Sequence, residues 1–134
     1  MLLDHFGIAT KDIEKSYHEY SFLGFKKVSE IIQDLKRNLV IQFIANNNFK
    51  IELISVLDSD KSSPIDNILK NSKTELNIPY HTCYEVEDIQ KSVQDMINNK
   101  YILINQSESA TAFNERKVAF LYRINFGIIE LLEK

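Results

Sequence analysis

Two segments of the chain place apolar residues on one face of an α-helix. Counted from Ile89, positions i, i+3, i+4, i+7 and i+8 form a stripe that is apolar except for one serine, and Asp88 stands before it as an N-cap. The same positions counted from Ile13 form a weaker stripe, which Gly24 follows as a C-terminal stop. The pattern therefore predicts two equivalent helices, one in each half of the chain.

Short β-favouring segments follow each predicted helix, and a strand-like segment precedes it. In the first half they are Phe25 to Ile32, Leu39 to Ala45 and Phe49 to Val56, and in the second half Tyr101 to Ile104, Val118 to Tyr122 and Gly127 to Leu132. The three asparagines at 46–48 are typical of a hairpin turn. Each half is thus predicted to be a βαβββ module.

The two halves also repeat one another residue by residue. His5 recurs as His81, and the D-I-x-K-S segment 12–16 recurs at 88–92 with the same offset of 76 residues. Later in each half the offset grows by two residues, and the I-E-L triplet around Glu52 recurs around Glu130. Each half therefore contains one His near the start of its first strand and one Glu on its last strand.

The repeat predicts one domain, 1–134, built from two modules. Module one covers 1–57, a linker with a short helix covers 58–78, and module two covers 79–134. The linker is polar from Asp58 to Ser63, and Pro64 then suits the first position of a helix that ends by Asn71.

Composition excludes several classes of protein. The chain has 134 residues, 44% of them hydrophobic and 26% charged, with three Gly and two Pro, which predicts a soluble globular protein. No Lys/Arg block exceeds two residues, so a nucleic-acid partner is not expected. No segment is long and apolar enough to span a membrane, and the first residues do not resemble a signal peptide, so we expect a cytoplasmic protein.

The recurring side chains have the composition of a metal site. Two imidazoles and two carboxylates, from His5, Glu52, His81 and Glu130, suit a divalent ion such as Ni²⁺, Co²⁺, Zn²⁺, Mn²⁺ or Fe²⁺. A single His or Glu on a strand is more often structural, and the joint recurrence is what favours the metal. His18 has no counterpart in the second half and is expected to be exposed. The single cysteine, Cys83, excludes an internal disulfide and is expected to be a core thiol.

The order of His5, Glu52, His81 and Glu130 and the sequence around them resemble the vicinal oxygen chelate superfamily. This superfamily includes glyoxalases, bleomycin resistance proteins and methylmalonyl-CoA epimerases. The resemblance covers the whole chain and is carried by LDHFGIATKDIEKSYHEY, FKIELISVLDSDKSSPI, PYHTCYEVEDIQKSV and KVAFLYRINFGIIELLE. It implies an α+β fold in which paired βαβββ modules form a curled half-barrel, and a homodimer. It also implies one divalent metal per chain, held by His5, Glu52, His81 and Glu130.

Within the superfamily, the chain is most similar to short bacterial nickel-type glyoxalase I enzymes and to methylmalonyl-CoA epimerases. Such epimerases tend to carry a catalytic Glu in an E-Q-G-like element, and the corresponding segment 34–38 contains no Glu. The resemblance thus implies lactoylglutathione lyase activity, which isomerises the methylglyoxal–glutathione hemithioacetal to S-lactoylglutathione through an enediolate. It implies that the bound metal is Ni²⁺ or Co²⁺ in preference to Zn²⁺ or Mn²⁺. It also implies that Glu130 is the base and that Glu52 is mainly a metal ligand.

Two alternatives to glyoxalase I remain at this point. One is a methylmalonyl-CoA epimerase, which acts on an acyl thioester instead of a thiol adduct. The other is a metal-free resistance protein that sequesters a small molecule, although such proteins usually lack the four ligand residues that are present here. A ring-cleaving dioxygenase fits less well, because those enzymes use two His and one carboxylate, and Glu52 is in excess.

Overall fold

The two longest helices begin where the repeated D-I-x-K-S segments predict them. In a computed structural model that describes all 134 residues, α1 spans Ile13–Phe22 and α3 spans Ile89–Asn98. The carboxylates of Asp12 and Asp88 each accept a hydrogen bond from the backbone N–H three residues later, at 3.0 and 2.9 Å. The repeated aspartates are therefore N-caps, which satisfy backbone donors that a helix end leaves without partners.

The remaining elements are mostly strands. In chain order they are β1 (Leu2–Thr10), β2 (Lys26–Lys27), β3 (Ile32–Asp34), β4 (Leu39–Asn46), β5 (Phe49–Val56), α2 (Asp66–Asn71), β6 (Asn77–Val86), β7 (Ile102–Leu103), β8 (Glu108–Ala110), a 3₁₀ turn (Thr111–Phe113), β9 (Arg116–Arg123) and β10 (Gly127–Glu133). Strand β8 and the 3₁₀ turn have no counterpart among the predicted elements. The predicted α+β class is confirmed.

The single strand predicted from Phe25 to Ile32 is wrong, because two short strands, β2 and β3, lie at its ends. Between them, the Ser29 hydroxyl accepts the backbone N–H of Phe43 at 3.0 Å, and the Gln42 side-chain amide donates to the Ser29 carbonyl. Side chains thus replace backbone partners at this point of β4 and interrupt the ladder.

The chain divides into two compact units. The first consists of Met1–His5 together with His81–Lys134 and is called the terminal unit below. The second, Phe6–Tyr80, is called the middle unit. The predicted module boundaries at 57 and 79 stay a prediction.

In the middle unit the strands follow the order β2, β4, β5, β1, and β3 also pairs with β4. Strand β1 runs parallel to β5, with Gly7 opposite Glu52. Strands β4 and β5 form an antiparallel hairpin, and Asn47 adopts a left-handed φ of 52° in its turn, as the run of asparagines predicts. The buried core of this unit consists of Ile13, Ile44, Ile51 and Leu53.

In the terminal unit the order is β6, β10, β9, β7, and β8 pairs with β9. Strand β10 runs parallel to β6, with Glu130 opposite Cys83, and antiparallel to β9. The apolar face of α3 packs on these strands, as its sequence periodicity predicts. The buried core of this unit consists of Val86, Ile89, Met96, Ala119, Leu121, Ile129 and Leu131.

The linker helix α2 begins at Asp66, two residues after the predicted start at Pro64, and ends at Asn71 as predicted. The Asp66 carboxylate accepts hydrogen bonds from both the backbone N–H and the hydroxyl of Ser63, at 2.9 and 2.8 Å. These two bonds tie the start of the helix to the residue before Pro64. No helix in the structure combines the length and the hydropathy that crossing a bilayer requires.

We expect Leu121→Ala to lower the free energy of unfolding by about 2–5 kcal/mol, because it opens a cavity in the core of the terminal unit. The matched control is Leu35→Ala. Leu35 is 78% exposed whereas Leu121 is fully buried, so the control should change stability by less than about 0.5 kcal/mol. Urea unfolding followed by circular dichroism measures both. Equal losses in the two variants would contradict the packing described above.

Candidate metal centre

Three of the four predicted ligand residues converge in the terminal unit. The Nε2 atoms of His5 and His81 lie 3.2 Å apart. The Glu130 Oε2 atom lies 3.3 Å from His5 Nε2 and 3.0 Å from His81 Nε2. All three side chains are almost completely buried. Two imidazole nitrogens and a carboxylate oxygen therefore meet at one point, although these residues are far apart in the sequence.

Strand pairing explains how Glu130 reaches His81. Glu130 lies opposite Cys83 in the parallel pair of β10 and β6, and Cys83 follows His81 by two residues. Residues i and i+2 of a strand point to the same face of the sheet. The register thus places His81 and Glu130 on one buried face of neighbouring strands.

Charge at this point is balanced between the carboxylate and the imidazoles. Burial raises the pKa of Glu130, but the nearby His81 and His5 side chains outweigh burial and hold the pKa below its ordinary value. Glu130 is therefore ionised at neutral pH. A buried carboxylate needs a compensating cation, which can be a protonated imidazole or a metal ion.

The orientation of the donors fits a metal ion. Glu130 Oε2 is buried and receives no hydrogen bond of acceptable geometry, although it lies close to both Nε2 atoms. The two ring nitrogens and this oxygen are therefore close enough to bind one ion. Imidazole nitrogen and carboxylate oxygen are ligands that Zn²⁺, Ni²⁺, Co²⁺ and Mn²⁺ accept. This buried His/Glu cluster could bind a divalent metal.

Both imidazole rings contact side chains that the sequence analysis does not single out. Asp4 Oδ2 lies 2.7 Å from His5 Nδ1, and the Phe113 ring stacks on the His5 ring at 5.6 Å between centroids. Phe120, opposite Glu130 on β9, meets the His81 ring edge-on at 5.5 Å. The contact of Asp4 with His5 could have been predicted, because the two residues are adjacent in the sequence. The contact of Phe113 could not, because Phe113 lies on the unpredicted 3₁₀ turn.

The fourth predicted ligand, Glu52, belongs to the middle unit. It is buried on β5, between Gly7 on β1 and Phe43 on β4. A charged side chain buried on a central strand is unusual, and it is the pattern expected of a functional carboxylate. Its role as a ligand stays a prediction.

His18 and Cys83 lie where the sequence places them. His18 is exposed on α1, where its ring contacts Phe22. Cys83 is a free, fully buried thiol, and its Sγ lies within 4.8 Å of ligand atoms of both Asp4 and His5. The core thiol is therefore also a neighbour of the His5 ring.

Comparison with known proteins identifies the family. Residues 4–120 match the family model described as the glyoxalase/bleomycin resistance protein/dioxygenase superfamily. The chain belongs to this superfamily. It is 31% identical to the mitochondrial methylmalonyl-CoA epimerase of Dictyostelium discoideum, over 98% of this chain and 78% of that protein. The mitochondrial epimerase of Mus musculus is 30% identical over 96% of this chain and 71% of its own length.

A solved structure supports the same assignment of the fold. A hypothetical protein of Bacillus halodurans C-125 superposes with a TM-score of 0.83 at 25% identity, over 98% of this chain and 93% of that one. The expected membership of the superfamily is thus confirmed, and the chain is an enzyme of this superfamily.

The glyoxalase I prediction is wrong. The relatives with about 30% identity are methylmalonyl-CoA epimerases, which agrees with the first alternative and not with a lactoylglutathione lyase or with methylglyoxal detoxification. The error has a physical origin. Both reactions remove a proton next to a carbonyl, so the His and Glu residues on which the prediction relied do not distinguish them.

We expect Cys83 to resist iodoacetamide in the folded protein. The thiolate is the reactive form of cysteine, and burial strongly raises the pKa of this thiol. Mass spectrometry after alkylation should show unmodified Cys83 in native buffer and complete modification in guanidinium chloride, which serves as the control. Rapid native labelling would show that Cys83 is accessible from solvent.

Proposed function

We propose that this chain is a methylmalonyl-CoA epimerase-type enzyme, which interconverts the two C2 epimers of a 2-methylmalonyl thioester. The observation that carries the proposal is the 31% identity to such an epimerase over 98% of the chain. The buried cluster of His5, His81 and Glu130 supports it, because the reaction needs a base beside a site that stabilises negative charge on a carbonyl oxygen.

We further propose that His5, Glu52, His81 and Glu130 hold one divalent metal, with Ni²⁺ or Co²⁺ favoured. The first and last strands pair in the same register in both modules, which supports Glu52 as the fourth ligand. Glu130 lies opposite the residue two positions after His81, and Glu52 lies opposite Gly7, two positions after His5. The metal would supply a Lewis acid that stabilises charge on the thioester oxygen.

The base in this proposal is Glu130, and Glu52 is mainly a ligand. Glu130 is ionised, and as the base its carboxylate would leave or loosen from the metal to accept a proton from C2. The C–H bond electrons pass to the thioester carbonyl as an enolate. Burial by itself raises the basicity of the carboxylate, whereas the nearby imidazoles lower it and keep the group ionised.

Epimerisation also requires a proton on the opposite face of C2. The segment 34–38, where similar epimerases carry a second Glu, offers only Asp34 as a carboxylate. Asp34 is buried and accepts hydrogen bonds from the guanidinium and the backbone N–H of Arg37, at 2.7 and 3.0 Å. These bonds assign Asp34 to the structure of a turn, and we therefore assign the returning proton to solvent. The expected homodimer and cytoplasmic location stay predictions.

Loss of a ligand tests the metal site. We expect His5→Ala and His81→Ala each to weaken Co²⁺ binding by more than the roughly 10- to 100-fold that the loss of a second-sphere hydrogen bond costs. His18→Ala is the matched control and should bind as the parent does, because His18 is exposed on α1. Isothermal titration measures the affinity and should give one ion per chain. If all three variants bind Co²⁺ with the same affinity, the proposed metal site is wrong.

The substrate is tested by incubating the cobalt-loaded protein with methylmalonyl-CoA in D₂O. We expect deuterium at C2 and interconversion of the epimers, since the proton removed from C2 is replaced from solvent. The methylglyoxal–glutathione hemithioacetal is the comparison substrate, and its turnover should be far slower. Absence of both exchange and epimerisation would reject the proposed function.

The base is tested in the same assay with Glu130→Gln, which keeps an oxygen for the metal but removes the basic carboxylate. We expect turnover to fall about 10²-fold or more. Glu19→Gln, the same change at an exposed position of α1, is the control and should be as active as the parent. If Glu130→Gln is active and Glu52→Gln is inactive, the two glutamates have the opposite roles.

A further inference from the structure

The environment of the two histidines differs although their positions in the repeat are equivalent. Asp4 precedes His5 and places Oδ2 at 2.7 Å from His5 Nδ1. The residue that precedes His81 is Tyr80, which has no carboxylate. The terminal unit thus contains an Asp–His pair at one of its two imidazoles, and strand geometry alone does not explain the contact, since consecutive side chains usually point to opposite faces.

This contact determines which ring nitrogen of His5 carries the proton. An ionised carboxylate only accepts hydrogen bonds, and a neutral imidazole has one N–H and one lone pair. The short distance to Asp4 therefore assigns the proton to Nδ1. The lone pair is then on Nε2, which is the atom that lies 3.2 Å from His81 Nε2 and 3.3 Å from Glu130 Oε2.

The surroundings of His5 also favour the Nδ1–H tautomer. The His5 side chain is 0% exposed, so bulk water does not compete for its N–H groups. The Phe113 ring stacks on the imidazole at an interplanar angle of 24° and restricts the tilt of the ring. Asp4 therefore holds the ring at one rotation about its Cβ–Cγ bond, and Phe113 covers one of its faces.

We propose that Asp4 is a positioning residue for His5, which fixes the Nδ1–H tautomer and aims the Nε2 lone pair at the metal. The inference rests on the proposed metal site and adds to it a residue outside the ligand set. A carboxylate on the second nitrogen also makes an imidazole a better electron donor, so His5 should be the stronger of the two histidine ligands.

The test measures the affinity for Co²⁺ and the His5 tautomer in Asp4→Ala and Asp4→Asn. We expect Asp4→Ala to bind Co²⁺ roughly 10- to 100-fold more weakly. Asp4→Asn should lose less, because its amide oxygen still accepts the Nδ1–H bond. The matched control is Asp95→Asn, which removes one negative charge from the exposed face of α3 and should bind as the parent does.

The tautomer is read by ¹⁵N NMR of the imidazoles in the metal-free protein. We expect His5 to carry its proton on Nδ1 in the parent and in Asp95→Asn, and to shift toward the Nε2–H form in Asp4→Ala. A purely structural role of Asp4 would lower the unfolding midpoint without moving the tautomer. An Asp4→Ala variant that binds Co²⁺ like Asp95→Asn, or an unchanged tautomer, would overturn the inference.

These readouts use no thioester, so they separate the inference from the proposed reaction. If the epimerase assay fails while Asp4→Ala weakens metal binding and shifts the tautomer, the role of Asp4 stands and the substrate is wrong. If Asp4→Ala does not fold, Asp4→Asn carries the comparison. A parent protein that binds no metal would overturn both the site and the inference.

Discussion

Parallel pairing between the first and the last strand of a module is the constraint on which the site depends. In the terminal unit this pairing joins β6 and β10 and sets Glu130 beside His81. A shift by one residue would turn Glu130 to the other face of the sheet. The antiparallel pairing of β10 with β9 and the packing of α3 hold that register, so the chemistry at the site depends on the apolar core on the opposite face of β10.

Burial of the cluster has an energetic cost that the core must offset. Removing a carboxylate from water is unfavourable unless a positive group lies next to it. In the protein alone, His81 and His5 offset part of this cost, since they lower the pKa of Glu130, and a divalent ion would do so more strongly. The rings of Phe113 and Phe120, which contact His5 and His81, help to exclude water and make the carboxylate sensitive to its immediate neighbours.

The sequence predicts those features that repeat or have a fixed period. The helices follow from apolar spacing and from Asp12 and Asp88, and the convergence of His5, His81 and Glu130 follows from their equivalent places in two copies. The interruption near Ser29 depends on side-chain hydrogen bonds between distant segments, which leave no local pattern. The predicted reaction was wrong because the ligand residues indicate only that a proton is removed next to a carbonyl. The substrate is selected by other groups around them.

The division of the terminal unit between the two ends of the chain affects how the protein folds. His81 is synthesised 76 residues after its neighbour His5, and Glu130 follows later still. Contacts between such distant segments carry a large loop-closure entropy and form slowly. During translation the middle unit emerges as one continuous segment before His81, whereas the ligand cluster has to wait for β10. Metal capture would therefore report that β10 has paired with β6.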